Sequence, residues 1–207
     1  MKYRDKIKKD TELHIRRTAY ELFEKKGYEQ TTMRELAKQA GIGLGTIFNY
    51  YPDKSSLLAA AFTDDLGHIL NRTFTKIPEL PVIEQLSYIV KNIYSFYARH
   101  HLLSRILVKE LLFIQGSQTN ELENQLNGFM KYIEGIFIKS IERREIKSNL
   151  DINDAVLAFA SFYFLGLHSG LKGSSFKISF QVKTFQRLLS QYLSCYHIKG
   201  CEHGRRK

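Results

Sequence analysis

The sequence predicts an all-α protein of about nine helices. Apolar residues recur every three or four positions along most of the 207-residue chain, and no run shows the two-residue alternation of a strand. Breaks between these stretches fall on Gly and Pro, at Gly27, Gly41, Pro52, Pro78 to Pro81 and Gly116. With 43% hydrophobic residues and a mean hydropathy of -0.28, the chain can bury a sizeable core and remain soluble. The pattern separates a small N-terminal three-helix unit over residues 6–62 from a larger helical domain over 63–197, with a basic tail at 198–207.

Residues 11–26 form the first expected helix. Ile15, Ala19, Leu22 and Phe23 share one stripe, and Gly27 ends it. The lead-in before it, with Lys2, Arg4, Lys6, Lys8 and Lys9 against Asp5, reads as a solvated tail; a flexible arm brushing phosphates is the alternative. Thr32 with Glu35 three residues on is a capping box, so a second helix starts near Met33. Leu36, Ala37 and Ala40 are its apolar side, and Gly41 stops it. A third helix opens at Leu44 or Gly45 and carries Ile47, Phe48 and Tyr51 at helical spacing. It ends before Pro52, because the residue preceding proline is pushed away from helical angles. Asp53 then caps a fourth helix. Two helices of about two turns joined by a glycine turn make a helix-turn-helix, which lays its second helix in the major groove of DNA.

Residues 27–58 closely resemble the signature of the TetR family of transcription regulators. The resemblance rests on Gly27-Tyr28, Thr31-Thr32, the run from Ala37 to Gly41, Gly45-Thr46, Tyr50-Tyr51, Pro52 and Lys54, in this order. It implies a fold in which the first helix buttresses the helix-turn-helix and a helical domain behind it binds a small effector and a second subunit. Candidate DNA contacts follow on the matching positions. Thr32 caps its helix and touches phosphate, Arg34 reaches a guanine edge, and Lys54 meets phosphate. In the recognition helix Gly45 lies beside Thr46 and Asn49 as polar candidates and Phe48 and Tyr50 as aromatic ones. The chain departs from the usual pattern at Gly43-Leu44, where the family commonly has Ser and a long polar residue. Leu44 has no hydrogen-bonding group, so it is expected to read a thymine methyl.

Past Lys54 the chain continues in helical segments. Residues 54–74, 82–99, 102–113, 118–146, 154–171 and 179–196 carry the periodicity; His100-His101 mark a kink, and the polar run 147–153 turns the chain. The 14 Phe and 12 Tyr, with no Trp, make this core aromatic. Phe74, Tyr94, Phe96, Tyr97, Phe113, Phe129, Phe137, Phe162 and Tyr163 are candidates to line an apolar effector cavity, against the alternative of plain packing. The segment 154–171 is unusual, because no Asp, Glu, Lys or Arg stands between Asp154 and Lys172 and apolar groups lie on every side. Such a helix must be buried all round. A membrane span is one account, but Ser161, His168 and Ser169 interrupt a run shorter than the roughly 20 residues a span needs. A fully enclosed core helix is another. The third, which the resemblance implies, packs one face at home and the other on a second subunit, through Ala158, Phe162 and Gly166 together with Phe185, Leu189 and Tyr192 of the last helix.

Charge and motifs bound the remaining classes. The chain carries 31 Lys+Arg against 21 Asp+Glu, a net +10, which favours an anionic partner. Residues 1–54 hold 12 basic and 8 acidic residues and residues 55–207 hold 19 and 13, so charge alone does not locate a DNA face. Two cysteines suit a reducing cytoplasm rather than a disulfide scaffold. The first ten residues lack the apolar core of a signal peptide. No catalytic motif is present, so no enzyme activity and no cofactor is expected. Cys195, His197, Cys201 and His203 have metal-ligand chemistry, yet two of them sit at a helix end pointing apart, so a loose tail without metal is expected. The expected molecule is a cytoplasmic, ligand-responsive DNA-binding homodimer, a repressor released from a near-palindromic double-stranded operator by a small apolar effector. The alternatives are an activator or nucleoid-associated factor without a ligand, and a helical protein–protein adaptor.

Overall fold

A computed structural model describes residues 3–111 and 120–197. The described residues form helices α1 (Tyr3–Lys26), α2 (Met33–Gln39), α3 (Leu44–Tyr50), α4 (Lys54–Thr75), α5 (Val82–Arg99), α6 (His101–Leu111), α7 (Asn120–Glu142), α8 (Ile152–Lys172) and α9 (Ile178–Leu193). Among them the only strand-like pairing is an isolated antiparallel bridge between Ile146 and His197. Two compact units emerge, residues 1–68 with 100–125 and residues 69–99 with 126–207.

In the first unit α1 supplies Ile15, Ala19 and Phe23 to a core completed by Leu36, Ala37, Ile47, Leu57, Leu58 and Phe62, all buried. The turn from α2 to α3 depends on Gly41, whose φ of 67° lies in the left-handed region that favours a residue without Cβ. Ile42 N then reaches back to Ala37 O at 3.0 Å, closing the end of α2. Pro52 and Asp53 separate α3 from α4, and the Asp53 carboxylate accepts the Ser56 amide at 2.7 Å. Burial alone would raise the Asp53 pKa, but the Ser56 and Ser55 hydrogen bonds outweigh it and hold it below the usual value.

The lead-in is a correction. It is helical from Tyr3, eight residues ahead of the expected start, and not a loose arm. Nothing in residues 3–10 breaks a helix, and Thr11 Oγ1 donates back to Ile7 O at 2.9 Å across the expected boundary.

In the second unit α5 is the central helix, with Val82, Leu86, Ile89, Val90, Ile93 and Tyr94 buried against α8 and α9. The Glu145 carboxylate accepts the Val82 amide at 2.9 Å and so caps α5 from the far end of α7. The expected helix over 118–146 stops at Glu142, where Arg144 takes a φ of 60° and turns the chain. Asp151 caps α8 by accepting the Asp154 amide at 3.0 Å.

α8 is long and apolar enough, by length and composition alone, to cross a membrane. Here its Ala155, Phe159, Tyr163, Gly166, Leu167, Gly170 and Leu171 form one face buried in the unit. Leu157, Phe164 and Leu165 on the opposite face are 65%, 39% and 55% exposed.

That division corrects the expected subunit face. Gly166 does not face a partner: a Cβ there would overlap the Tyr94 side chain of the same subunit. Phe185 and Leu189 are 1% and 0% exposed within the single chain. Ala158, Phe162 and Tyr192 remain half-buried. Glycine opens the helix here for a tyrosine from α5 and not for a second backbone.

Candidate nucleic-acid interface

The helix-turn-helix is held by local bonds that the spacing anticipated. Thr32 Oγ1 accepts the Glu35 amide at 3.2 Å while the Glu35 carboxylate accepts the Thr32 amide at 3.1 Å, completing the capping box. Lys26 at the end of α1 pairs with Glu35, tying the box to the preceding helix. The Lys26 ammonium and the Thr32 amide hold the Glu35 carboxyl below its usual pKa. Its contribution is therefore complete above the ordinary carboxylate pKa and is lost as pH falls through the lowered value.

α3 buries one side and opens the other. Ile47 and the following Tyr51 are 0% exposed, whereas Leu44, Gly45, Thr46, Phe48 and Asn49 are exposed and Tyr50 is half-buried. Thr32 and Arg34 on α2 are exposed as well. The candidates from Thr32 to Tyr50 thus lie on accessible parts of the two helices.

Lys54 differs from the rest. Its ammonium donates to Tyr28 O at 2.8 Å and Thr31 O at 3.0 Å and sits 4.2 Å from the centre of the Tyr28 ring. In the free protein it fastens the start of α4 to the α1–α2 turn. Lys54→Ala is therefore expected to cost about 1.5–3 kcal/mol of stability, the range for hydrogen bonds to a charged group. Urea unfolding reads this directly, and an unchanged midpoint would show the two bonds to be idle.

A second buried assembly was not singled out in the sequence. Arg16 Nε donates to Tyr51 Oη at 2.8 Å, its two terminal nitrogens reach Asp64 at 3.1 Å and Glu12 at 2.9 Å, and Tyr51 Oη donates to Glu12 at 3.2 Å. Burial pushes the Tyr51 phenol pKa well up, opposed by the Arg16 guanidinium. This network braces the residue that ends α3 against α1 and α4. The signal for it was an arginine adjoining the apolar stripe of Ile15 and Ala19.

The described aromatic candidates belong to the second unit. Phe74 stacks on Tyr132 with centroids 3.8 Å apart and reaches Phe129 at 6.2 Å. Phe129 lies 5.8 Å from Tyr163, which stacks on Tyr94 at 5.6 Å. Phe96 and Tyr97 meet edge to face at 5.6 Å, and Tyr97 is hydrogen-bonded to Tyr163. Phe137 is fully buried, and Phe162 is half-buried. Phe113 lies outside the described residues. Tyr132, Phe159, Phe176 and Phe185 join the same rings and were missed, because a pattern of aromatic residues does not say which face each occupies. Three phenols in this core are buried. Tyr94 Oη donates to Tyr163 O at 2.6 Å, and burial pushes Tyr97 up to about 12 and Tyr163 well above its ordinary value.

Cys195 is exposed, with a free thiol. Its carbonyl accepts the Lys147 ammonium at 2.8 Å. Cys201 and His203 lie outside the described residues. Among the described residues no cluster of His, Cys, Asp and Glu has metal-binding geometry.

Residues 15–61 match the family model described as "Bacterial regulatory proteins, tetR family". These residues form a TetR-family domain. The chain is similar to the fatty acid metabolism regulator protein of Bacillus subtilis, with 28% identity over 148 residues, 71% of this chain and 76% of that protein. Its fold is shared by the transcriptional regulator FadR of Bacillus subtilis, solved in complex with stearoyl-CoA, at a TM-score of 0.68 and 24% identity, over 86% of this chain and 97% of that one. FadR of Thermus thermophilus, a TetR-family repressor solved with lauroyl-CoA, matches at a TM-score of 0.70 and 24% identity, over 86% and 92%.

Proposed function

We propose that this TetR-family protein is a homodimeric repressor released from its operator by a long-chain fatty acyl thioester. The observation that carries the DNA-binding half is α3, buried at Ile47 and the following Tyr51 and exposed at Leu44, Gly45, Thr46, Phe48 and Asn49. Residues 6–62 form the DNA-binding domain in this reading, and residues 63–197 take the effector and the partner subunit. Thr32 and Lys54 meet phosphate, Arg34 reaches a guanine edge, and Thr46, Asn49 and Tyr50 face the groove. Two such helices set by a dimer reach successive major grooves about 34–36 Å apart.

The dimer forms through the outer face of α8, where Leu157, Phe164 and Leu165 stand in water in the single chain. TetR-family regulators bind DNA as dimers and respond to small molecules, and an apolar face of this kind calls for a cover.

The acyl effector is supported by the two relatives solved with acyl-CoA and by the rings running from Phe74 through Phe129 to Tyr94, which offer an aliphatic chain an apolar path. A ligand that fits only the conformation with misplaced recognition helices releases DNA by population shift. Titrating the operator complex with stearoyl-CoA, lauroyl-CoA and free CoA, read by fluorescence anisotropy, tests this. Both acyl thioesters are expected to weaken binding about 5–150-fold, the usual range of such coupling, and free CoA to leave it unchanged. A complex indifferent to both acyl-CoAs would sink the effector assignment.

A further inference from the structure

If the chain is an operator-binding regulator, the outward surface of α3 says which bases it reads. The residues around Ile47 stand in three rows, each with its members one turn apart: Leu44 with Phe48, Gly45 with Asn49, Thr46 with the half-buried Tyr50. Leu44 is 37% and Phe48 45% exposed. The inner side of α3 is filled by Ile47 and the following Tyr51, both at 0% exposure. Two large apolar groups kept in water on adjoining turns therefore point to an apolar surface outside the protein.

Gly45 supports the same conclusion. A Cβ at this position would meet nothing within 4 Å, so no neighbour in the protein requires glycine there. Glycine is also unfavourable inside a helix. Its absence of side chain leaves the first turn of the middle row bare and lets Leu44 beside it come close to the floor of a groove.

In the major groove the apolar group on a base edge is the 5-methyl of thymine; the other base edges present hydrogen-bonding atoms that an apolar side chain would desolvate without pairing. We propose that Leu44 and Phe48 read the methyl groups of two successive thymines in each operator half-site. The spacing agrees: residues one helical turn apart place their Cβ atoms about 5–6 Å apart, and successive bases on a strand are about 3.4 Å apart along the axis and further displaced sideways by the twist. Asn49 in the next row is the residue type that pairs with adenine, consistent with the same A·T step.

The test replaces thymine by deoxyuracil, which keeps the Watson–Crick pairing and removes only the methyl. The full-length protein first selects its site from random DNA, and each thymine of that site is then exchanged in turn. Affinity is expected to fall about fourfold for each methyl removed at two adjacent positions per half-site, the equivalent of one buried methylene. Leu44→Ala is expected to become insensitive to one position and Phe48→Ala to its neighbour, with both variants folding as wild type because both side chains are exposed. A selected site that binds equally well with uracil throughout overturns this inference and leaves the regulator reading standing. A protein that selects no sequence at all overturns both.

Discussion

Gly166→Arg is expected to unfold the protein and not to separate its subunits. The hydroxyl end of Tyr94 fills the space beside Gly166, donating to Tyr163 O at 2.6 Å, and a Cβ at residue 166 would overlap it. An arginine adds a long side chain to a filled site and an unpaired charge to an apolar core. Overpacking costs about 1–3 kcal/mol and an uncompensated buried charge several more. Together these rival the roughly 5–15 kcal/mol by which a typical domain is stable. Thermal melting and soluble yield read the outcome. Gly166→Ala should show a milder loss, and adding Tyr94→Phe, which removes the atom nearest the new methyl, should recover part of it. A Gly166→Arg protein that melts like wild type would show that α8 faces the other way.

Leu157→Arg should do the opposite, giving a folded monomer that has lost its operator. Leu157 is 65% exposed in the single chain, so arginine there leaves the subunit's own packing intact. In an isologous interface the same substitution enters from both sides, and each copy places a charge against an apolar surface. Sedimentation should then report a monomer with an unchanged melting profile. Operator affinity should fall about 10²–10⁴-fold, the gain that joining two binding sites confers. Non-specific DNA binding should survive, because α2 and α3 are untouched. Dimers with full operator affinity would place the interface elsewhere.

These two substitutions lie on one helix, nine positions apart, and sequence periodicity alone does not tell them apart. α8 is apolar on both sides, so its pattern shows that both must be covered without saying which is covered by the subunit itself. Sequence reasoning put Gly166, Phe185 and Leu189 on the partner side; packing put them inside. The deciding contact is Tyr94, more than 70 residues earlier in the chain, whose side chain fits the gap that glycine leaves.

The helix-turn-helix was legible for the converse reason. Thr32 with Glu35, the left-handed turn at Gly41 and the stop before Pro52 all act over a few residues, so their spacing states their structure. The outward placement of Leu44 and Phe48 followed from the same short-range geometry once Ile47 was inside. The start of α1 was missed because a polar, charged helix has no apolar stripe to announce it. Arg16 with Tyr51 and Asp64, and Lys54 with the carbonyls of Tyr28 and Thr31, join residues 23 to 48 positions apart. The sequence by itself determined the two short helices, the turn between them and the exposed side of α3, because each is encoded within one or two turns of chain. Only the tertiary structure decided which face of α8 is core and which charged side chains brace the recognition helix, because those depend on partners that folding alone brings together.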